Sequence, residues 1–169
     1  MVARRYIKKV SLLGDGGVGK TSLVRRFVQD MFSDEYITTF GAKVSKKVIE
    51  LDDIELTMMI WDILGQKGKA SLHSTYYSGT NGALVMCDLT RPETLEGLVR
   101  WAAELKAVTG EIPIIPIANK SDLSPMISQE RLHEVGSIIG HDFLQTSAKS
   151  GEGVQAAFLE LGRSMLEAR

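Results

Sequence analysis

Gly14-Asp15-Gly16-Gly17-Val18-Gly19-Lys20-Thr21 lies between two segments of opposite periodicity, and its reading decides the fold. Before it, residues 6–13 are rich in β-formers; after it, Leu23, Val24, Phe27 and Val28 recur at helical spacing. The eight residues satisfy the pattern GxxxxGK followed by Ser or Thr, in the strand–loop–helix setting that the pattern requires. Glycines let the backbone curl so that its N–H groups converge, and the helix start adds the positive end of its dipole. Lys20 then sets an ammonium among the β- and γ-phosphates of a nucleotide, and Thr21 offers a hydroxyl to Mg²⁺. With Ser22, these residues form a candidate phosphate cradle. The plain alternative is a glycine-rich turn that ends in a helix cap.

A polar stretch follows over residues 30–41, and then two extended runs, 43–51 and 54–61, joined at Asp52-Asp53. A two-residue turn predicts an antiparallel hairpin. A glycine-containing stretch over 65–82 leads to the apolar run 83–89 and to a helical segment carrying Leu95, Leu98, Val99, Ala102 and Leu105. Residues 112–118 read as another buried strand. Ser128 caps a helix reaching Ile139, 143–146 is a short strand, and 154–166 is a closing amphipathic helix. The alternation predicts an α/β fold: a six-stranded, mostly parallel sheet with one antiparallel edge strand and helices on both faces. Its ligands belong beyond the carboxyl ends of the strands. No linker, repeat or low-complexity tract interrupts the 169 residues, so residues 1–169 read as one domain.

Twenty Lys and Arg against 21 Asp and Glu leave a formal charge of −1, which gives no global field toward nucleic acid or acidic lipid. The single Cys87 forms no internal disulfide, and no CxxC or HExxH spacing is present, which fits a reducing, cytoplasmic setting. No apolar leader and no run of the ~20 apolar residues needed to cross a bilayer is found. His73, His133 and His141 read as surface or helix-end residues, and Cys87, Met58, Met59 and Met86 as strand-borne core residues. Arg4, Arg5, Lys8 and Lys9 read as a solvated edge.

The cradle alone does not say which base is bound. Asn119-Lys120-Ser121-Asp122 follows the strand 112–118 and so stands at the carboxyl edge beside the cradle. The Asp122 carboxylate can accept two hydrogen bonds side by side, which guanine offers through its ring N–H and amino group and adenine does not. The next strand ends in Thr146-Ser147-Ala148-Lys149, which can present the Ala148 N–H to the guanine carbonyl oxygen. Lys120 and Lys149 can lay their alkyl stems along the base. Trp61-Asp62-Ile63-Leu64-Gly65-Gln66 closes the second run of the hairpin as a DxxGQ pattern. There Asp62 can hold Mg²⁺ through a water, the Gly65 N–H can approach a γ-phosphate, and Gln66 can orient an attacking water.

Taken together, GDGGVGKTS, Thr39, WDxxGQ, NKSD and TSAK resemble the Ras superfamily of small GTPases over essentially the whole chain, the Rab branch most closely by eye. Residues 36–41 (YITTFG) resemble the switch I of Rab proteins, and Trp101 also fits. The resemblance implies a P-loop NTPase fold, the G domain, with GTP or GDP and Mg²⁺ as its ligands. It further implies that Thr39 contacts Mg²⁺ and the γ-phosphate, that Phe32 packs against the guanine, and that Tyr36 closes over the phosphates. Gly16 would fill a position where a side chain crowds Gln66. Catalysis would rest on Gln66, Lys20 and Thr39. Partners would be effector, exchange-factor and GTPase-activating proteins meeting a monomer at its switch regions. With no arginine finger near switch I, turnover is expected on the order of 10⁻⁴–10⁻³ s⁻¹, as for Ras-like proteins without an activator.

The chain departs from the family at three places. Ile63-Leu64 stands where Thr-Ala is usual, Lys67-Gly68-Lys69 where Rab proteins have Glu-Arg-Phe, and Val44 at a switch I phenylalanine. Two further functions compete: a non-hydrolysing, nucleotide-dependent binding module, and a P-loop metabolic kinase, against which stands the lack of an arginine-rich acceptor or lid region. The sequence ends at Arg169 without a prenylation cysteine, so no lipid anchor is expected on this chain.

Overall fold

A computed structural model of the chain describes residues 3–28, 35–37, 42–63 and 75–168, with backbone alone at 35–37. The strand–loop–helix unit is realised as β1 (Arg4–Leu13) and α1 (Lys20–Val28). There follow β2 (Glu35–Ile37), β3 (Ala42–Leu51), β4 (Ile54–Ile63) and β5 (Gly82–Asp88). Two helices come next, α2 (Glu93–Glu96) and α3 (Leu98–Thr109), and then β6 (Ile114–Asn119), α4 (Gln129–Ile139), β7 (Leu144–Thr146) and α5 (Val154–Glu167). The sheet order is β2-β3-β4-β1-β5-β6-β7. Pairs β4-β1, β1-β5, β5-β6 and β6-β7 are parallel. The β3–β4 hairpin is antiparallel and turns at Asp52, whose positive φ of 56° is one that an aspartate tolerates in a tight turn.

The six expected strands are all present in a mostly parallel sheet, which a seventh completes, and there are two refinements. Glu35–Ile37, read above only as part of a polar stretch, adds an antiparallel rung to β3, with Tyr36 opposite Val44. The helical segment after β5 breaks at Gly97 into α2 and α3. Ser128 caps α4 as expected, its Oγ accepting from the Arg131 N–H at 3.1 Å, and Gly140 ends that helix in a left-handed conformation.

Alternation along each buried strand divides the apolar residues between two layers. Leu84 and Met86 of β5 join Leu12, Leu56, Met58 and Ile60 under α1 and α5, where Phe27 and Phe158 stack with centroids 4.0 Å apart. Ala83, Val85 and Cys87 face the opposite way and meet Leu95, Leu98, Trp101, Leu105, Leu132 and Val135 of α2, α3 and α4. Emptying a position such as Phe158 leaves a cavity costing ~3–5 kcal/mol. Met58, Met86 and Cys87 are fully buried, as expected of core residues, whereas Met59, on the alternate face of β4, is only half-buried.

Arg4 and Arg5 are solvated as expected, but β1 lies in the middle of the sheet and not at its edge, and Lys9 departs from the expectation. Arg5 pairs with Glu55 at 2.7 Å, on the next strand. Lys9 is half-buried: its ammonium stands 4.0 Å from the Trp61 ring centroid and donates to the carbonyl oxygens of Tyr76 and, at 2.9 Å, Ser78. Burial pulls its pKa down to about 8. No helix among the described residues is long and apolar enough to cross a membrane.

Candidate functional site

The loop between Leu13 and Lys20 and the segments after β6 and β7 meet at one end of the parallel sheet, beyond the carboxyl ends of its strands. The glycine pattern has a specific steric basis at Gly19, whose φ is +104°. A Cβ there would stand 2.3 Å from Asn119 Nδ2. The close approach lets Asn119, the buried last residue of β6, donate from Nδ2 to the Val18 carbonyl oxygen at 2.9 Å. Its Oδ1 accepts from the Thr146 hydroxyl at 2.9 Å and from the Ala148 N–H at 3.3 Å. One amide therefore joins the phosphate cradle to both candidate base-reading segments.

Lys20 is nearly buried and folds its ammonium back onto the loop, donating to the Gly14 carbonyl oxygen at 2.9 Å. Burial lowers its pKa below the ordinary lysine value, against the opposing charges of Asp62 and Asp15. Thr21 donates its hydroxyl to Asp62 Oδ2. Asp62 is buried at the end of β4, and its Oδ1 has no hydrogen-bond partner among the described residues. A hydroxyl beside a carboxylate with an unsatisfied oxygen is a hard-oxygen donor set that fits Mg²⁺.

On the base side, Ser147 donates its hydroxyl to Asp122 Oδ1 at 2.7 Å and accepts the Ser150 N–H at 3.0 Å. The Ser121 N–H reaches the Thr146 carbonyl oxygen at 3.0 Å, a further tie between the two segments. Lys120 adopts φ +70°, unusual for a side-chain-bearing residue and of the kind that accumulates at functional sites. Its ammonium pairs with Asp88 Oδ2 at 2.8 Å. Burial alone would raise the Asp88 pKa, but Lys120 and two hydrogen bonds from Thr90 outweigh it and hold the carboxyl below its ordinary value.

A cavity of about 470 Å³ opens between these parts, lined by Gly19, Ser22, Asn119, Lys120, Asp122, Ala148 and Lys149 together with Arg25, Arg26 and Leu123. The structure thus brings together the cradle residues, Asp62, and the NKSD and TSAK residues. Phe32, Thr39, Leu64, Gly65 and Gln66 lie outside the described residues, as does the Tyr36 side chain. A Cβ on Gly16 would meet nothing within 4 Å among the described residues, and Gln66 is not one of them.

Asp88, Arg25 and Arg26 were not singled out by sequence reading, yet signals for them exist. Asp88 is an acid closing an apolar run at the carboxyl edge, and Ser22, Arg25 and Arg26 fall at i, i+3 and i+4 on one helix face. Arg26 also donates to the Ser150 carbonyl oxygen at 2.9 Å, a contact that bridges the first helix and the last base-reading loop.

Comparison with protein-family models matches residues 9–167 to the model described as Ras family. The match takes in the cradle, the hairpin and both base-reading segments.

Proposed function

The chain belongs to the Ras family of small GTPases, and from that premise we infer that it is a GTP/GDP switch that uses Mg²⁺ and hydrolyses GTP slowly unless a partner assists. The observation that carries the reading is the Asp122 carboxylate, held by Ser147 in the same cavity as Gly19, Asn119 and Ala148. Asp122 accepts the two adjacent donors of guanine, and the Ala148 N–H leaves its long bond to Asn119 for the guanine carbonyl oxygen. Asp122 is exposed in the open site, so a bound adenine would cover its charge without supplying those donors, and leaving the covered carboxylate unpaired rejects ATP by the kind of discrimination that reaches large factors.

Backbone N–H groups of the cradle and the Lys20 ammonium receive the β- and γ-phosphates. Gln66 orients the attacking water, and Thr39 and Gly65 hold their segments against the γ-phosphate. Thr21 and Asp62, with Thr39, would hold Mg²⁺, which when bound neutralises charge on the phosphate oxygens. Loss of the γ-phosphate removes the shared anchor of the two switch segments and with it the surface that effectors meet.

Within the family we place the chain nearest the Rab branch, on YITTFG at 36–41, SLHSTYYSG at 71–79 and Trp101. Ile63-Leu64 and Lys67-Gly68-Lys69 favour a second reading, a binding module that retains nucleotide but has lost the chemistry. Extraction of nucleotide from purified protein, competition with ATP and timed single-turnover phosphate release test both. Preference for ATP defeats the guanine reading, and GTP loading without phosphate release selects the second.

A further inference from the structure

Gly16 and Gly17 sit in a turn of the phosphate cradle and carry no side chains to hold their peptide group. Arg91, three residues past the carboxyl end of β5, reaches this turn: its Nη1 donates to the Gly16 carbonyl oxygen at 3.0 Å. The same nitrogen lies 3.0 Å from where a Cβ on Gly17 would stand, so the guanidinium packs directly on the turn. Its Nε also meets Glu93 Oε1 at 3.2 Å, in an ion pair open to solvent.

The backbone that carries Arg91 is fixed by a buried network. The Arg91 N–H donates to the Asp88 carbonyl oxygen at 2.9 Å, and the Arg91 carbonyl oxygen accepts the Thr94 hydroxyl at 2.7 Å. Asp88 Oδ1 takes both the N–H and the hydroxyl of Thr90, at 2.8 and 2.7 Å. Asp88, with no exposed surface, is the carboxylate that pairs with Lys120 of the base-reading segment. A continuous chain of polar contacts therefore runs from Lys120 through Asp88 and the Thr90–Arg91 turn to the Gly16 carbonyl.

We propose that Arg91 is a positioning residue for the phosphate cradle: it clamps the Gly16–Gly17 peptide from outside and presets the Gly17 N–H as a donor to the nucleotide's terminal phosphates. The argument is geometric first. In a planar trans peptide the N–H of Gly17 is antiparallel to the C=O of Gly16, so a cation held on that oxygen directs the N–H away from itself. It is electronic second, because a charged donor on the carbonyl polarises the peptide and strengthens the bond that its N–H makes. Arg91 touches neither base nor phosphate in this role; it acts through the loop, and Asp88 makes the loop's position depend on the segment that holds the base. The inference rests on the guanine-nucleotide reading above.

The test compares wild type, Arg91→Ala, Arg91→Lys and Glu93→Gln in three measurements: release of GDP, affinity for GMP, and the ³¹P resonances of bound GDP. Loss of one charge-assisted hydrogen bond at a partly exposed site is expected to speed GDP release about three- to tenfold in Arg91→Ala. Lysine supplies charge and a donor without the planar fork, so Arg91→Lys falls between the two. Glu93→Gln, which leaves the clamp in place, stays within about twofold of wild type. GMP has no β-phosphate, so its affinity is unchanged, while the β-phosphate resonance of GDP shifts and the α-phosphate resonance does not. GDP release and β-phosphate resonance both unchanged in Arg91→Ala, or GMP weakened as much as GDP, would overturn the proposal. If wild type prefers adenine nucleotides, the guanine reading fails by itself, and ADP and AMP take the places of GDP and GMP with the same outcomes.

Discussion

Ser147 donates its hydroxyl to Asp122 across 2.7 Å and so fixes the carboxylate that stands at the mouth of the cavity. The two residues are 25 positions apart and come from different strand ends, yet neither has its role without the other. A serine here presets an acceptor pair, and presetting lowers the ordering cost of binding.

Asp122→Ala removes a charged acceptor of two hydrogen bonds, each worth about 1.5–3 kcal/mol when one partner is ionised. GTP and GDP affinity should fall by roughly 10²–10⁴-fold while ATP binding is unaffected. Ser147→Ala, which only loosens the carboxylate, should weaken guanine nucleotides by about fivefold. Competition titration with a fluorescent GDP reads both, and equal losses for GTP and ATP would contradict the assignment of Asp122 to the base.

Asp62→Ala addresses the divalent-cation site. Chelation of Mg²⁺ should speed GDP release from wild type by about tenfold or more, because ligand and ion stabilise each other. In Asp62→Ala the two rates, with and without chelator, should lie within about threefold. A variant that keeps the full response to chelator would place the ion elsewhere.

Lys9 makes a prediction about pH. Its folded-state pKa is lowered from 10.5 to about 8 by burial. Between these values the unfolded chain holds a proton that the folded chain has released, so this residue's contribution to stability rises with pH across that window. Below about 8 the amine is charged in both states and the contribution is flat. Urea unfolding of wild type and Lys9→Met at about pH 7 and about pH 9.5 isolates it: the stability difference, wild type minus variant, should grow at the higher pH. A difference that shrinks would reverse the sign.

Leu64 bears on the rate of hydrolysis. Leucine at a position where relatives carry alanine adds three carbons, and overpacking of that size costs about 1–3 kcal/mol. If the strain falls on the transition-state arrangement and not on bound GTP itself, Leu64→Ala should hydrolyse GTP about five- to a hundredfold faster in single turnover, since each ~1.4 kcal/mol is tenfold. Gln66→Leu should be slower than wild type. An unchanged Leu64→Ala beside a slowed Gln66→Leu would show that leucine is accommodated freely.

What sequence reading delivered was set by the range of the forces involved. Ser128, three residues before the N–H it caps, and the alternation of β5 into Leu84 and Met86 against Val85 and Cys87 are local patterns, and each element stands where its pattern placed it. The cradle and the base-reading segments were legible because glycine, lysine and aspartate are required there at fixed spacing. Lys9 was misread because its surroundings come from Trp61 and from Tyr76 and Ser78, on elements dozens of residues away. Arg26 was missed for the same reason, since its partner Ser150 is 124 positions distant. The Glu35–Ile37 rung has too few residues to show a period, and only its pairing with β3 makes it a strand.

Asn119 serves three masters through one amide: Val18, Thr146 and Ala148. For anyone who would evolve this scaffold toward a different base, that concentration has a price in searchability. Substitutions at 122 or 148 explored singly will look benign or harmful depending on what occupies 119, and those at 119 will register at the phosphate end before any new base is recognised. Routes to altered specificity therefore pass through simultaneous changes, and a library that varies these positions one at a time will miss them.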